Sequence, residues 1–125
     1  MAVVGKHVIF QNTNLVLSFT VKDKAKVAVA ISKARFVLVL DPDTMTSLTW
    51  DKQITTTLTV DGQITDAANG VGVFYATKTE TGALTRKHKA GFYTGFIVVR
   101  RTSDSKDFTG YEAEFYVRPG VDAGT

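Results

Sequence analysis

The sequence predicts an all-β domain, a single antiparallel β-sandwich of about seven to eight strands. Apolar residues alternate with period two in several short runs, which is the pattern of half-buried strands. Turn residues separate these runs at regular intervals, as in sandwiches and barrels. No segment of ten or more residues has a convincing helical period, and the best helical turn is predicted near residues 81–89.

Six runs show the alternation: residues 15–21, 36–40, 57–60, 71–76, 92–99 and 112–117. The run at 36–40 is apolar on both faces, which predicts a central strand or one covered by a partner. Between the runs, Asp41-Pro42-Asp43 cannot continue a central strand, because proline lacks the backbone donor. Asp61-Gly62 and Asn69-Gly70 are dipeptides that favour tight turns.

Length and composition predict one globular domain. The chain has 125 residues, of which 44% are hydrophobic and 22% charged, so intrinsic disorder is not expected. Residues 1–119 are predicted to form the sandwich and residues 120–125 a flexible C-terminal tail. No apolar run approaches the ~20 residues of a transmembrane helix, and no membrane partner is expected.

The absence of cysteine excludes disulfides, cysteine-ligated zinc, iron–sulfur clusters and thiol catalysis. The first residues do not have the pattern of a secretory signal, because Lys6 and His7 interrupt the apolar start. We therefore expect synthesis and first folding in the cytoplasm.

Neither catalysis nor metal or cofactor binding is predicted. Asp41-Pro42-Asp43 could begin a calcium loop, but Met45 stands where a third oxygen ligand is needed. His7 and His88 have no partner at metal-ligand spacing. Glu112 and Glu114 lie ~6–7 Å apart on one strand face, as glycosidase carboxylates can, but such pairs are more often the wet face of an edge strand.

Two binding functions remain as alternatives. A carbohydrate-binding module would use Trp50 as a stacking platform, although a single tryptophan is more often a core or interface residue. A small nucleic-acid-binding protein would contact phosphates through a basic set: Arg86, Lys87, Lys89, Arg100 and Arg101. The net charge of +3 is modest, so a solvated basic rim is the preferred interpretation and nucleic acid is not the expected partner.

A family resemblance covers roughly residues 8–118. It is carried by five segments: Phe10-Gln11-Asn12-Thr13-Asn14 with the run that follows to Asp23, Ser32 to Leu38, Ile64 to Val71, Ala90 to Val98, and the closing Phe115-Tyr116-Val117-Arg118-Pro119. These segments resemble the immunoglobulin-like β-sandwich domains of tailed-phage virion proteins, and are similar to the N-terminal domain of upper baseplate proteins. The first segment is interpreted as one opening strand. Tyr93 after Gly91 is consistent with a tyrosine corner.

The resemblance implies a structural virion component without enzymatic activity, such as a tail, baseplate, neck or adaptor subunit. Its partners would be other virion proteins and copies of itself, and its final location the virion. Five residues are predicted to be outward-facing and apolar, and to need cover from a homo-oligomer: Val37, Val39, Phe92, Phe96 and Val98. An acidic stretch at 41–66 and a basic stretch at 78–106 could set the register between neighbouring copies.

Overall fold

The computed structural model describes residues 4–84 and 92–121, which form eight strands, a short 3₁₀ turn and one helical turn. The strands are β1 (Val4–Phe10), β2 (Leu15–Thr20), β3 (Ile31–Asp41), β4 (Thr46–Ile54), β5 (Gly62–Asp66), β6 (Val71–Ala76), β7 (Phe92–Arg101) and β8 (Asp107–Arg118). The 3₁₀ turn is Ala67–Asn69, and the helical turn α1 is Lys78–Gly82.

The strands form two sheets packed face to face. The five-stranded sheet has the order β1-β8-β7-β3-β4, and the three-stranded sheet has the order β2-β6-β5. Neighbouring strands are antiparallel except β1 and β8, which are parallel. The predicted all-β sandwich of seven to eight strands is confirmed.

Three buried aromatic rings occupy the centre of the core between the sheets. Phe36 of β3 lies 5.5 Å from Phe74 of β6 and 5.5 Å from Phe115 of β8, measured between ring centroids. Such pairs contribute about 0.5–1.5 kcal/mol each beyond their burial. Gly95 of β7 leaves space for these rings, because a Cβ there would lie 2.3 Å from Phe115 Cε1.

β3 is central, as its two apolar faces predicted, and lies between β7 and β4. Phe36 and Leu38 point into the core, so the alternating residues Val37 and Val39 lie on the outer face of the sheet. Those two side chains are nevertheless only 4% and 0% exposed. The prediction that they need a partner to cover them was therefore wrong, because the chain already buries them.

The sequence analysis missed β4 and placed a strand at 57–60 instead. In β4 the inward positions are Trp50, Lys52 and Ile54, and the charged residue in the middle hides the apolar alternation. Residues 57–60 are exposed and belong to the connection between β4 and β5. A buried lysine therefore explains the missed strand.

The opening of the chain also differs from the prediction of one strand starting at Phe10. β1 ends at Phe10, and a turn at residues 11–14 separates it from β2. Because β1 covers the outer edge of β8, Glu112 and Glu114 do not lie on an edge strand as interpreted.

The helical turn begins earlier than predicted. The Thr77 hydroxyl accepts a hydrogen bond from the Glu80 N–H (3.2 Å), and Glu80 Oε1 accepts one from the Thr77 N–H (3.0 Å). This capping box starts the helix at Lys78. Most of the predicted turn at 81–89 falls on residues 85–91, outside the described residues. Within the described part of the chain, no helix is both long and apolar enough to cross a membrane.

Candidate functional site: a groove on the outer face of the five-stranded sheet

A groove of about 690 Å³ lies on the face of the five-stranded sheet that points away from the core. Its floor is formed by Val37 of β3 together with Phe96 and Val98 of β7. Val37 lies directly opposite Phe96 in the β3–β7 register, so the two side chains share this face. The sheet therefore presents an apolar floor to the outside, which we call the outer groove.

One end of the outer groove is apolar and is formed by the β3–β4 connection and the start of β4. Pro42, Met45 and Leu48 line it, and the Leu48 side chain is 50% exposed. The turn is held by Asp41, whose Oδ1 accepts a hydrogen bond from the Asp43 N–H at 3.1 Å. Its Oδ2 accepts one from the Thr44 hydroxyl at 3.0 Å. The Asp-Pro-Asp segment thus forms the turn that the sequence indicated.

The other end of the outer groove is polar and carries two paired arginines. Arg35 binds Asp51 through two contacts of 2.7 Å, and Arg100 binds Asp107 at 2.7 and 3.1 Å. The hydrogen bonds from these guanidinium groups lower the pKa of Asp51 and of Asp107. Exposed pairs of this kind contribute little to stability, but they fix the positions of charges at the rim.

The structure brings together only part of the predicted interface set. Phe96 and Val98 are half-buried and line the groove. Val37 and Val39 are already buried, and nothing is described of the Phe92 side chain. Met45 and Leu48 were not predicted. Strand alternation would place Leu48 on the inward face with Trp50, but an irregularity in the β3–β4 register pairs Leu48 with Val39 and turns it to the outer face.

Trp50 is not a surface platform. It is buried, and its ring packs edge-on against Phe36 with centroids 6.3 Å apart. Lys52 Nζ lies 5.7 Å from its centroid. Since Trp50 is only 7% exposed, it presents no face on which a sugar could stack, and the platform hypothesis has no surface here.

Two of the five predicted phosphate-binding residues are within the described part of the chain, and both are paired with acids. Arg100 binds Asp107, and Arg101 binds Asp104, with Nε to Oδ1 at 3.0 Å. The hydrogen bond from Arg101 lowers the pKa of Asp104 to about 2, so the carboxylate stays charged at neutral pH. Arg86, Lys87 and Lys89 lie outside the described residues.

A second cleft of about 370 Å³ opens between β2 and β8. His7 Nε2 is hydrogen-bonded there to the Tyr111 hydroxyl, and the His7 ring stacks on Phe115 at 5.0 Å. Burial raises the pKa of the Tyr111 phenol. His7 therefore has a structural partner.

The Tyr93 side chain is buried in the core. The predicted tyrosine corner before it involves residues 85–91, which lie outside the described residues, and it stays a prediction.

Lys52 of β4 forms a charge cluster with Asp61 and Glu80. Its side chain is 5% exposed, and Nζ lies 2.6 Å from Glu80 Oε2 and 3.3 Å from Asp61 Oδ1. Burial opposes ionisation of Glu80, but hydrogen bonds from Lys52 and Thr77 outweigh it and lower the pKa of Glu80. Two carboxylates against one ammonium leave this cluster with a net charge of −1.

Comparison with known proteins supports the fold. No protein-family profile and no curated protein sequence matches the chain. Among solved structures, the NK cell receptor Nkp44, a triggering partner in natural cytotoxicity, is similar with a TM-score of 0.52 at 10% identity over 94% of this chain and 99% of that chain. A chicken TCR is similar with a TM-score of 0.52 at 10% identity, over 97% of this chain and 55% of that one. The sandwich is therefore immunoglobulin-like.

Proposed function

We propose that this protein, an immunoglobulin-like sandwich with an outer groove, is a non-enzymatic structural subunit of a phage virion. It acts by self-association and by attachment to other virion proteins. The virion context is supported by the strand and turn segments that resemble phage sandwich domains. Attachment is supported by the surface of the five-stranded sheet.

The observation that carries the proposal is the apolar floor of the outer groove. A sandwich needs apolar residues only on the facing sides of its two sheets. Here the outward side of the five-stranded sheet is apolar as well, with Phe96 and Val98 half-buried and Leu48 half-exposed. Apolar surface of this kind, rimmed by polar residues, is typical of protein interaction sites.

The rim supplies what an apolar floor lacks, which is specificity. Arg35 and Arg100 keep 45% and 43% of their side-chain surface exposed while bound to their acids. Such fixed charges can align a partner and exclude incorrectly oriented ones. The groove therefore combines an apolar contact surface with an orienting polar end.

The direct test is the mass of the protein in solution, measured by light scattering after size exclusion. Two concentrations roughly a hundred-fold apart are sufficient to reveal association that follows mass action. We expect a discrete oligomer whose population rises with concentration. A single monomeric mass at both concentrations would contradict self-association.

Replacing Leu48 with aspartate is expected to shift the protein towards monomer. The substitution places an unpaired charge on the apolar end of the groove, and a charge there would have to be desolvated on association. We expect the apparent association constant to fall at least about ten-fold, as a loss of ~1.4 kcal/mol requires. Folding is not expected to change, because the side chain is already half in solvent.

The matched control is Val16→Asp. Val16 is also an exposed, outward-facing strand residue, but it lies on β2 in the other sheet. This variant is expected to associate as the unmodified protein does. Equal weakening by both variants would mean that added negative charge, rather than the groove, controls association.

A further inference from the structure

An apolar tip protrudes from the β4–β5 connection. Leu58 is 64% exposed and Val60 is 86% exposed. Val60 stands with Asp61 at the tip of a tight turn, which is closed by hydrogen bonds of 3.0 and 3.2 Å between Thr59 and Gly62. Tips of such turns usually carry polar residues or glycine, whereas here two aliphatic side chains are largely exposed to solvent.

This apolar tip is held in place by the rest of the chain. The Asp61 carbonyl accepts a hydrogen bond from the Tyr75 N–H at 2.9 Å, and its carboxylate binds Lys52. The Thr56 carbonyl accepts one from the Gln63 side chain at 2.9 Å. A segment fixed in this way loses little conformational entropy when it binds, which favours its use as an inserted element.

The charges near the tip and at the groove are opposite in sign. The cluster of Lys52, Asp61 and Glu80 behind the tip has a net charge of −1. At the polar end of the outer groove, three cations stand against two acids: Lys33, Arg35 and Arg100 against Asp51 and Asp107, a net charge of +1. The same chain thus carries an apolar tip on an acidic base and an apolar groove with a basic end.

We propose that the occupant of the outer groove is the apolar tip of a second copy, so that Leu58 and Val60 of one subunit insert between Leu48 and Phe96 of the next. The contact joins two different surfaces and is head-to-tail, which builds rings or filaments rather than two-fold dimers. This inference rests on the proposed function, because it names the partner that the groove receives. It adds a direction to the assembly, set by tip and groove.

The test uses two variants that remove one half of the contact each. Leu58→Ser/Val60→Ser removes the tip and keeps the groove, and Leu48→Asp impairs the groove and keeps the tip. Serine is well tolerated in turns and both replaced side chains are largely exposed, so folding should be retained. Each variant alone is expected to be monomeric at concentrations where the unmodified protein associates.

The decisive measurement is the mass of an equimolar mixture of the two variants. One intact tip and one intact groove remain, so the mixture is expected to form a dimer with one copy of each variant. The control is Val16→Ser/Val27→Ser, which replaces two exposed valines elsewhere and is expected to assemble normally.

Two results would overturn the head-to-tail contact while leaving self-association intact. One is a tip variant that still forms the full oligomer, and the other is a mixture that stays monomeric although the unmodified protein associates. Groove-to-groove pairing predicts the first of these results, because the tip variant keeps its groove. A monomeric unmodified protein would instead overturn the proposed function and this contact together.

Discussion

Gly95→Ala is expected to destabilise the domain by about 1–3 kcal/mol, the range for an overpacked core. The new methyl group would lie 2.3 Å from Phe115 Cε1, 2.7 Å from Phe115 Cδ1 and 3.0 Å from Phe36 Cε1. Both rings are buried and in contact with each other, so neither can move aside without disturbing its neighbours. The measurement is the free energy of unfolding in urea.

Gly110→Ala is the matched control, since it makes the same change in the adjacent strand β8. The nearest atoms to a Cβ at Gly110 are 3.8 Å away, which is ordinary van der Waals contact. Stability should be unchanged or rise by up to about 1 kcal/mol, because alanine has fewer unfolded conformations. If Gly95→Ala were as mild as this control, the aromatic packing over β7 would not be as tight as described.

Lys52→Ala is expected to destabilise the domain by about 2–3 kcal/mol. Removing one member of a buried ion pair usually costs ~3–5 kcal/mol. We expect a smaller loss for Lys52→Ala, because Glu80 and Asp61 keep more than a third of their side-chain surface exposed. The substitution also removes the cation over Trp50 and leaves a cavity beside it. Urea unfolding at neutral pH measures the effect.

Lys52→Met separates the charge from the packing. Methionine fills most of the space of the lysine stem, so we expect a smaller loss than for alanine, about 1–2 kcal/mol. A methionine variant as unstable as the alanine variant would show that the charge contacts, and not the volume, dominate.

The pH dependence tests the same cluster independently. The pKa of Glu80 is lowered from its usual 4.5 in the folded protein, so the folded state binds its proton less readily than the unfolded state. Its contribution to stability is therefore present above about pH 4.5 and is lost as the pH falls through the lowered pKa. Lys52→Met should reduce this acid-dependent loss. An unchanged slope of stability against pH would contradict the role of Lys52 in charging Glu80.

The contrast between β3 and β4 shows which strands the local sequence pattern can predict. β3 was predicted correctly because both of its faces are apolar and such a strand must be covered on both sides. β4 was missed because its inward row contains Lys52, which is tolerated there only because Asp61 and Glu80, distant in sequence, meet its ammonium. A charged residue in a strand cannot be assigned to the inward face from sequence unless the residues that pair with its charge are known.

The residues of the outer groove show the same limit of prediction from local sequence pattern. Phe96 and Val98 were identified from alternation in β7, and they line the groove. Leu48 was not identified, because a single apolar residue in a polar segment is common on protein surfaces. Leu58 and Val60 were interpreted as part of a strand at 57–60, whereas they lie exposed in the β4–β5 connection. Leu48 becomes a candidate contact residue because it lines the groove, and Leu58 and Val60 become candidates because a tight turn holds them in solvent.

By itself, the sequence determined the all-β class, the two-sided apolar central strand and the tight turns, because these depend on residue spacing and local backbone chemistry alone. The tertiary structure decided which apolar residues remain accessible. It buried Val37, Val39 and Trp50 and left Leu48 and Val60 in solvent. Exposure depends on which strands become neighbours and how the connections fold over them, and these are contacts between residues far apart in the chain.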